Sequence, residues 1–199
     1  MTDEIAVGTT TAPPGETDDG WLSVTELPTG GTERLPVTVV NGTNAGPTLW
    51  ITGGVHGDEA TGVAVAQDAA ELAREHVTEL AGAVVVVPIV SPAGLRRNER
   101  TTYYGGDDPN RYFPDTERDD ERPPGPQERI DTALFEAFAD SADLLLDCHT
   151  AQVGSVPFVI RDRVLYGDAR DEAAAEAIAA KLARIGDSLG LPTLTEYPA

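Results

Sequence analysis

The run AVVVVPIV at residues 83–90 constrains the fold more than any other stretch of this 199-residue chain. Most of its residues are β-branched and apolar, without the polar alternation of a half-exposed strand. This pattern is typical of a strand that is covered on both faces, because a sheet in that position carries helices on each side. The run therefore predicts a layered protein in which helices pack against a central sheet.

The rest of the chain alternates between strand-like and helix-like segments. Apolar residues at spacings of three and four predict helices at residues 59–80, from Pro126 onward, and at 170–189. Short apolar or alternating runs bounded by turn residues predict strands at residues 21–27, 34–40, 48–52, 142–148, 156–160 and 191–196. Strands separated by helices of this length imply an α/β layered fold with a largely parallel central sheet.

Three details of the pattern predict how single elements pack or end. Pro36 cannot donate to a sheet ladder, so residues 34–40 are predicted to form an edge-type strand. Gly190 is predicted to end the last helix. The buried face of the helix at residues 59–80 is predicted to be the stripe Val65, Ala69, Leu72, Ala73, Val77 and Leu80.

Residues 1–20 differ in composition from the rest of the chain. They are rich in Thr, Pro, Gly and acidic residues, which predicts a disordered or extended N-terminal arm. Residues 21–199 are predicted to form one domain. The single cysteine, Cys148, excludes an internal disulfide and lies in an apolar run, as a core residue would.

The charge of the chain argues against several classes of partner. There are 34 acidic and 14 basic residues, a net charge of −20, and only one of the basic residues is a lysine. Such a polyanion repels nucleic acid and anionic lipid, so neither is expected as a partner. No apolar run approaches the roughly 18–20 residues of a membrane span. The acidic, polar N-terminus does not resemble a secretory signal, so a cytoplasmic location is expected.

Residues 49–61, LWITGGVHGDEAT, combine a short buried strand, a glycine-rich turn and the start of a helix. Asp58 is predicted to cap that helix. His56 and Glu59 are three residues apart, so the turn can direct an imidazole and a carboxylate at one point, which is two-thirds of a catalytic zinc site. A glycine-rich turn before an acidic helix start is also common as plain structure, and this motif alone leaves both interpretations open.

A second histidine, His149, directly follows the strand predicted at residues 142–148. In open α/β sheets, sites form outside the carboxyl ends of the strands, so His149 is expected to face the same crevice as His56 if the two strands are neighbours. With Glu59 they offer two nitrogens and one oxygen and leave a fourth position for water. Asp147 points to the same side of its strand as His149 and is a candidate to orient an imidazole.

Other catalytic arrangements lack their motifs. The chain has neither a Gly-x-Ser-x-Gly elbow nor a Walker-type GK[ST] sequence. Cys148 is predicted to point to the opposite face from His149, which argues against a Cys–His pair. Residues 95–125 form a long irregular segment that carries six of the fourteen basic residues, and segments of that length tend to be functional.

Three blocks, GGVHGDE, ERTTYYGGDDPNRYFP and LLLDCHT, resemble the succinylglutamate desuccinylase/aspartoacylase family in their order and spacing, over roughly residues 33–199. The resemblance implies a three-layer zinc-carboxypeptidase-like fold, with a central mixed, largely parallel sheet flanked by helices. It implies that His56, Glu59 and His149 bind one zinc ion per chain. It further implies that Asn110 and Arg111 hold a substrate carboxylate and that Arg100 polarises the scissile carbonyl.

The implied activity is that of a zinc-dependent amidohydrolase which removes the acyl group from an N-acyl amino acid or a similar small amide. Since the fold serves both chemistries, a metallocarboxypeptidase is an alternative. Members of the family are longer and carry a general-base glutamate on a late strand, so residues 21–199 are expected to be an incomplete catalytic domain. A catalytically inactive zinc-binding remnant is therefore a further alternative, and homo-oligomers stay open.

A plain structural interpretation exists for the two arginines of the middle block. Arg100 and Arg111 can pair as loop charges with the nearby Asp107, Asp108 and Asp115. A guanidinium binds a carboxylate through two parallel hydrogen bonds, and that property suits either role.

The acidic residues are spread through every region, which is typical of adaptation to high salt, where screening removes self-repulsion. We therefore expect a halophilic protein that loses stability at low ionic strength. Thermal melting from molar to millimolar potassium chloride should show a falling midpoint. A midpoint that does not change over this range would contradict the expectation.

Overall fold

The computed structural model describes residues 3–101, 106, 108–113, 123–164 and 171–195. The chain divides into two compact units, Met1–Thr150 and Ala151–Ala199. The range 21–199, expected as one domain, is thus divided after Thr150. None of the helices in the described ranges is long and apolar enough to cross a membrane.

The first unit contains the elements that carry the predicted site residues. Its strands are β1 (Ile5–Val7), β2 (Thr10–Ala12), β3 (Thr17–Glu26), β4 (Thr32–Asn41), β5 (Asn44–Gly53), β6 (Ala81–Val87) and β7 (Leu144–Cys148). Its helices are α1 (Ala60–Glu75), α2 (Pro92–Arg97) and α3 (Pro126–Ala139), with a 3₁₀ turn at Pro109–Arg111.

Five of these strands form one mixed sheet in the order β3-β4-β6-β5-β7. Strand β5 runs parallel to both of its neighbours, β6 and β7, whereas β4 runs antiparallel to β3 and β6. Strand β6 lies in the middle, and its buried valines alternate between two core clusters, as predicted for a strand covered on both faces. The expectation of a layered α/β fold is confirmed.

The two core clusters lie on opposite faces of the sheet. One joins Trp50, Val85 and Val87 to Ile130 and Leu134 of α3. The other joins Ile51, Val84 and Val86 to Ala66 and Ala70 of α1. Successive residues of a strand point to opposite faces, so Trp50 and Ile51 divide between the two clusters. Helix, sheet and helix thus form three layers.

The N-terminal segment, as far as the structure describes it from residue 3, contains the short strands β1 and β2. Strands β1 and β2 pair as an antiparallel hairpin, and Val7 and Ala12 are buried in the α3-side core. The buried Asn41 side chain donates to the carbonyl oxygens of Asp3, at 3.0 Å, and Ala12, at 2.9 Å. Burial of apolar side chains and these hydrogen bonds hold the arm against the sheet.

The prediction of the buried face of α1 was right in part: Ala69, Ala73, Val77 and Leu80 of the predicted stripe pack against the core. Val65 and Leu72 are 50% and 60% exposed, however, and the buried residues of the helix include Val63, Ala66 and Ala70, which the prediction did not name. The large apolar residues dominate the periodicity, but the small residues beside them, Ala66 and Ala70, let the helix approach the strands closely. The helix is also shorter than residues 59–80, and the predicted cap by Asp58 is absent, since the N-cap position is Glu59.

The prediction of an edge-type strand at residues 34–40 was also wrong. Strand β4 lies between β3 and β6. Pro36 is tolerated because only residues 38–41 of this strand pair with β6, so the proline lies beyond that ladder. Within the segment 95–125, which was expected to be irregular, α2 ends at Arg97 and the Asn98 backbone adopts the left-handed conformation.

The second unit contains β8 (Val159–Arg161), α4 (Glu172–Ser188) and β9 (Thr193–Thr195). The two strands pair in parallel. The Asp171 side chain caps α4 by accepting from the Ala174 amide at 2.7 Å. Gly190 follows the helix with φ +66°, which confirms the predicted stop.

A buried carboxyl group in α3 generates a prediction about stability. Asp131 is fully buried; one of its oxygens accepts from Gln127 at 2.7 Å, and the other has no partner among the described residues. Burial, together with the nearby Glu128 charge, raises the pKa of Asp131 from 3.8 to about 7 against the effect of the Gln127 hydrogen bond. The stability contributed by the neutral form is therefore complete below about pH 3.8 and lost as the pH rises through about 7.

We expect Asp131→Asn, which keeps the shape and removes the ionisation, to raise the free energy of unfolding by about 1–4 kcal/mol at pH 8 and by less at pH 5. Denaturant unfolding at both pH values in constant salt measures the difference. Glu136→Gln, an exposed carboxyl on the same helix, is the matched control and should change little. An equal effect of Asp131→Asn at both pH values would contradict this account.

Candidate metal centre

The turn after β5 places His56 and Glu59 at the end of that strand. Gly54 adopts a positive φ of 62°, a conformation that residues with a side chain rarely reach. A side chain at Gly57 would overlap the backbone of Gly94 in α2, so the turn packs directly against that helix. The result is a tight, enclosed turn in which His56 is 2% and Glu59 7% exposed.

His149 reaches the same place from the neighbouring strand. Strands β5 and β7 are parallel, and Gly53 lies opposite Cys148. The carboxyl ends of both strands therefore lie side by side, and the residues that follow them leave the sheet at the same place. The ring centroids of His56 and His149 are 5.1 Å apart. One ligand atom from each of His56, Glu59 and His149 lies within 4.8 Å of the other two. The three residues predicted as metal ligands are therefore brought together.

The Glu59 carboxylate lies at the centre of this cluster. Its Oε1 is 2.7 Å from His56 Nδ1, and its Oε2 is 2.9 Å from His149 Nδ1. The Thr150 amide donates to Oε2 at 2.7 Å, and Arg100 donates to Oε1 at 3.3 Å. Both imidazoles thus direct the same ring nitrogen, Nδ1, towards one carboxylate.

The outer nitrogen of each imidazole faces a second carboxylate. His56 Nε2 is 2.9 Å from Asp108 Oδ1, and His149 Nε2 is 2.8 Å from Asp147 Oδ2. An ionised carboxylate only accepts hydrogen bonds, so the contacts with Asp108 and Asp147 place a proton on each Nε2, and each Nδ1, which faces Glu59, is left for a second proton or a metal ion. The contact predicted between Asp147 and an imidazole is confirmed. Around protein-bound metals, histidines are commonly held in this way, with the outer N–H on a carboxylate and the inner nitrogen on the ion.

The electrostatics of the cluster favour a positive charge at its centre. The hydrogen bond to Asp147, with the charges of Asp147 and Glu59, raises the pKa of His149 to about 9 in spite of its burial. Burial opposes ionisation of Asp108, but hydrogen bonds from His56, the Asn110 amide and Arg100 outweigh it and lower the pKa of Asp108 to about 2. Either a proton on an imidazole or a metal cation would supply the positive charge that balances these carboxylates. The donor set, two imidazole nitrogens and one carboxylate, fits zinc.

The three other predicted site residues lie beside Asp108. The Arg100 guanidinium bridges Glu59 and Asp108, donating to the latter at 2.9 Å. The backbone N–H of Asn110 donates to Asp108 Oδ1 at 2.9 Å. The Arg111 side chain is two-thirds exposed; it donates to the Asn110 carbonyl at 2.6 Å and lies 3.8 Å from Asp108. Pairing of both arginines with Asp108 is thus present, whereas Asp107 and Asp115 lie outside the described residues.

The sequence interpretation missed the role of Asp108 as the partner of His56. It treated this aspartate only as a charge near the arginines. The available signal was its position two residues before Asn110, in the block that also carries Arg100 and Arg111. The contact of the Thr150 backbone amide was also missed, because nearly every residue has a backbone N–H and the residue type does not indicate which one donates.

Comparison with known proteins agrees with this geometry. A model of the succinylglutamate desuccinylase/aspartoacylase catalytic domain matches residues 45–186. The match covers more than half of the chain, which therefore belongs to the succinylglutamate desuccinylase/aspartoacylase family. A curated relative, N-alpha-acetyl-L-2,4-diaminobutyric acid deacetylase from Halomonas elongata, is 31% identical over 121 residues, which are 60% of this chain and 33% of the relative.

Solved structures show the same fold. An aspartoacylase family protein from Mesorhizobium loti aligns with a TM-score of 0.69 and 27% identity, over 90% of this chain and 52% of that one. A succinylglutamate desuccinylase/aspartoacylase from Rhodobacter sphaeroides gives 0.71 and 27%, over 90% and 51%. A metallo-carboxypeptidase from Burkholderia cenocepacia gives 0.58 and 16%, over 90% and 49%, and shows the carboxypeptidase-like fold alone. The chain spans about half of each of these structures.

The spacing of the cluster depends on a glycine in the first turn of α1. A side chain at Gly62 would overlap the carbonyl oxygen of Cys148, the residue before His149. Alanine normally favours a helix over glycine by about 1 kcal/mol. Here we expect Gly62→Ala to destabilise the protein by about 1–3 kcal/mol instead, because α1 must move away from β7.

The same substitution should weaken zinc binding, since α1 carries Glu59 at its start and β7 precedes His149. Thermal unfolding and a zinc titration test both effects. Thr61→Ala, at the adjacent exposed position, is the control and should leave zinc affinity unchanged. If Gly62→Ala is as stable as the unaltered protein and binds zinc equally well, the close approach does not set the site.

Proposed function

We propose that this protein is a zinc-dependent amidohydrolase, a deacylase that removes the acyl group from an N-acyl amino acid or a similar small amide. The observation that carries the proposal is the convergence of His56 Nδ1, His149 Nδ1 and the Glu59 carboxylate, with each imidazole held from behind by a second carboxylate. Three protein ligands leave a coordination position open, which is the arrangement of catalytic rather than structural zinc.

Each residue has a proposed task around that centre. Zinc, when bound, lowers the pKa of its water towards about 7 and polarises the substrate carbonyl. His56, Glu59 and His149 hold the ion. Arg100, which already lies within hydrogen-bonding distance of Glu59, provides a cation beside the oxygen that gains negative charge. Loss of a donor of this kind typically slows a reaction about 10²–10³-fold.

Asn110 and Arg111 are proposed to hold a carboxylate of the substrate. Both belong to the 3₁₀ turn that begins after Asp108, and the Asp108 side chain accepts from the Asn110 amide. The turn is thereby tied to the metal centre through the aspartate that holds His56. The exposed Arg111 guanidinium has the planar donor pair that a carboxylate requires.

The relatives support the class of reaction. The Halomonas elongata protein is named a deacetylase of N-alpha-acetyl-L-2,4-diaminobutyric acid, which is an acetylated amino acid. The Rhodobacter sphaeroides structure is named a succinylglutamate desuccinylase/aspartoacylase. Both names describe removal of an acyl group from an amino acid, and this supports the deacylase over the peptidase.

Metal content and turnover test the proposal together. We expect one zinc ion per chain by elemental analysis, and loss of that ion in His56→Ala and His149→Ala. His76→Ala is the matched control, because the His76 side chain is 55% exposed and its imidazole lies 3.6 Å from Glu79, which is not part of the cluster. It should retain the metal.

Hydrolysis should then be measured on N-acetylaspartate, N-succinylglutamate, N-acetyl-2,4-diaminobutyrate and a set of peptides. Release of acetate or succinate without peptide cleavage is the expected result. Cleavage of peptides alone would favour a carboxypeptidase. Stoichiometric zinc without turnover of any substrate would favour an inactive metal-binding protein, and absence of zinc would contradict the centre itself.

A further inference from the structure

We propose that Thr52 is a positioning residue of the metal centre, acting through Asp147 on His149. The inference rests on the proposed zinc site and extends it to a side chain that touches neither the ligand atoms nor the proposed substrate position. Thr52 lies on β5, one residue before that strand ends, and is 3% exposed.

The contacts form a short relay between two strands. Thr52 and Asp147 are direct partners in the parallel pairing of β5 and β7. The Thr52 hydroxyl donates to Asp147 Oδ1 at 2.7 Å, and Asp147 Oδ2 lies 2.8 Å from His149 Nε2. An ionised carboxylate cannot donate, so the hydroxyl proton must point at Asp147. Both oxygens of Asp147 are thereby occupied, and the carboxylate plane has a defined orientation.

The two carboxylates that face the histidines, Asp108 and Asp147, differ in the number of hydrogen bonds that orient them. Asp108, behind His56, accepts hydrogen bonds from Arg100 and from the Asn110 amide as well. Among the described residues, the side chain of Asp147 has two side-chain partners: His149 and Thr52. The carboxylate behind His149 is therefore oriented by a single hydroxyl, whereas the one behind His56 has two further donors.

Thr52 is well suited to this task because its position is rigid. It belongs to a strand that is paired on both sides, by β6 and by β7. Its β-branched side chain has a restricted χ1 angle, so the hydroxyl direction follows the backbone closely. The hydroxyl transmits the rigidity of the sheet to a histidine that lies just beyond the end of β7.

The test is the zinc affinity of Thr52→Val, which keeps the shape of the side chain and removes the hydroxyl. Competition with a chromophoric chelator should show binding weakened about 10-fold, the lower end of the range for partners behind metal ligands. Thr52→Ser keeps the hydroxyl and should bind zinc like the unaltered protein. Thr48→Val is the matched control, because Thr48 is a buried threonine of the same strand whose side chain does not contact Asp147.

A double-mutant cycle with Asp147→Asn separates positioning from a general structural role. If Thr52 acts through Asp147, the substitution Thr52→Val should cause no further loss of zinc affinity once the carboxylate is gone. Additive losses would overturn the inference. Circular dichroism and thermal melting of the metal-free proteins establish that each variant is folded, and Thr52→Ala replaces the valine variant if that one is not.

The remaining outcomes are distinguishable. If Thr52→Val binds zinc as tightly as the unaltered protein while His149→Ala loses it, the proposed function stands and the role of Thr52 is wrong. If Thr52→Ser is as weak as Thr52→Val, or Thr48→Val shows the same loss, the hydroxyl is not the cause and the inference also fails. If the unaltered protein binds no zinc, both proposals fall.

Discussion

The parallel pairing of β5 with β7 is the constraint on which the rest of the structure depends. It brings the turn after Gly53 and the residues after Cys148 to one edge of the sheet. Two residues from each strand end then enclose a small volume: His56 and Glu59 on one side, His149 and the Thr150 amide on the other. A shift of this register by one residue would turn the β7 side chains to the other face and separate the cluster.

Close packing of α1 preserves this geometry. The helix begins directly after Glu59 and passes over the end of β7, where Gly62 leaves room for the Cys148 carbonyl. The small residues Ala66 and Ala70 continue the contact with the sheet. A packed interior relaxes only partly when volume is added, so a side chain at Gly62 would displace the residues of the proposed metal centre. The geometry of the proposed metal centre and the packing of the core are thus coupled through one helix.

Much of this arrangement could be predicted from the sequence, for identifiable reasons. The β-branched run of β6 requires cover on both faces, and residues that follow strands in an α/β sheet collect at one edge, which is why His56 and His149 could be paired before the structure was known. The packing face of α1 could be predicted only in part, because Val65 and Leu72 carry a strong apolar signal but lie in solvent. Asp108 was missed because its partner is 52 residues away, and no local pattern records such a contact.

The central claim is that His56, Glu59 and His149 share one zinc ion, and a crystal structure of the zinc-loaded protein with anomalous data at the zinc edge tests it most directly. The account predicts a single strong peak about 2.0–2.1 Å from Nδ1 of both histidines and about 2.0–2.2 Å from the Glu59 carboxylate. Asp108 and Asp147 should remain on the two Nε2 atoms. A peak bound through Nε2, a peak elsewhere on the protein, or no peak at all would contradict it.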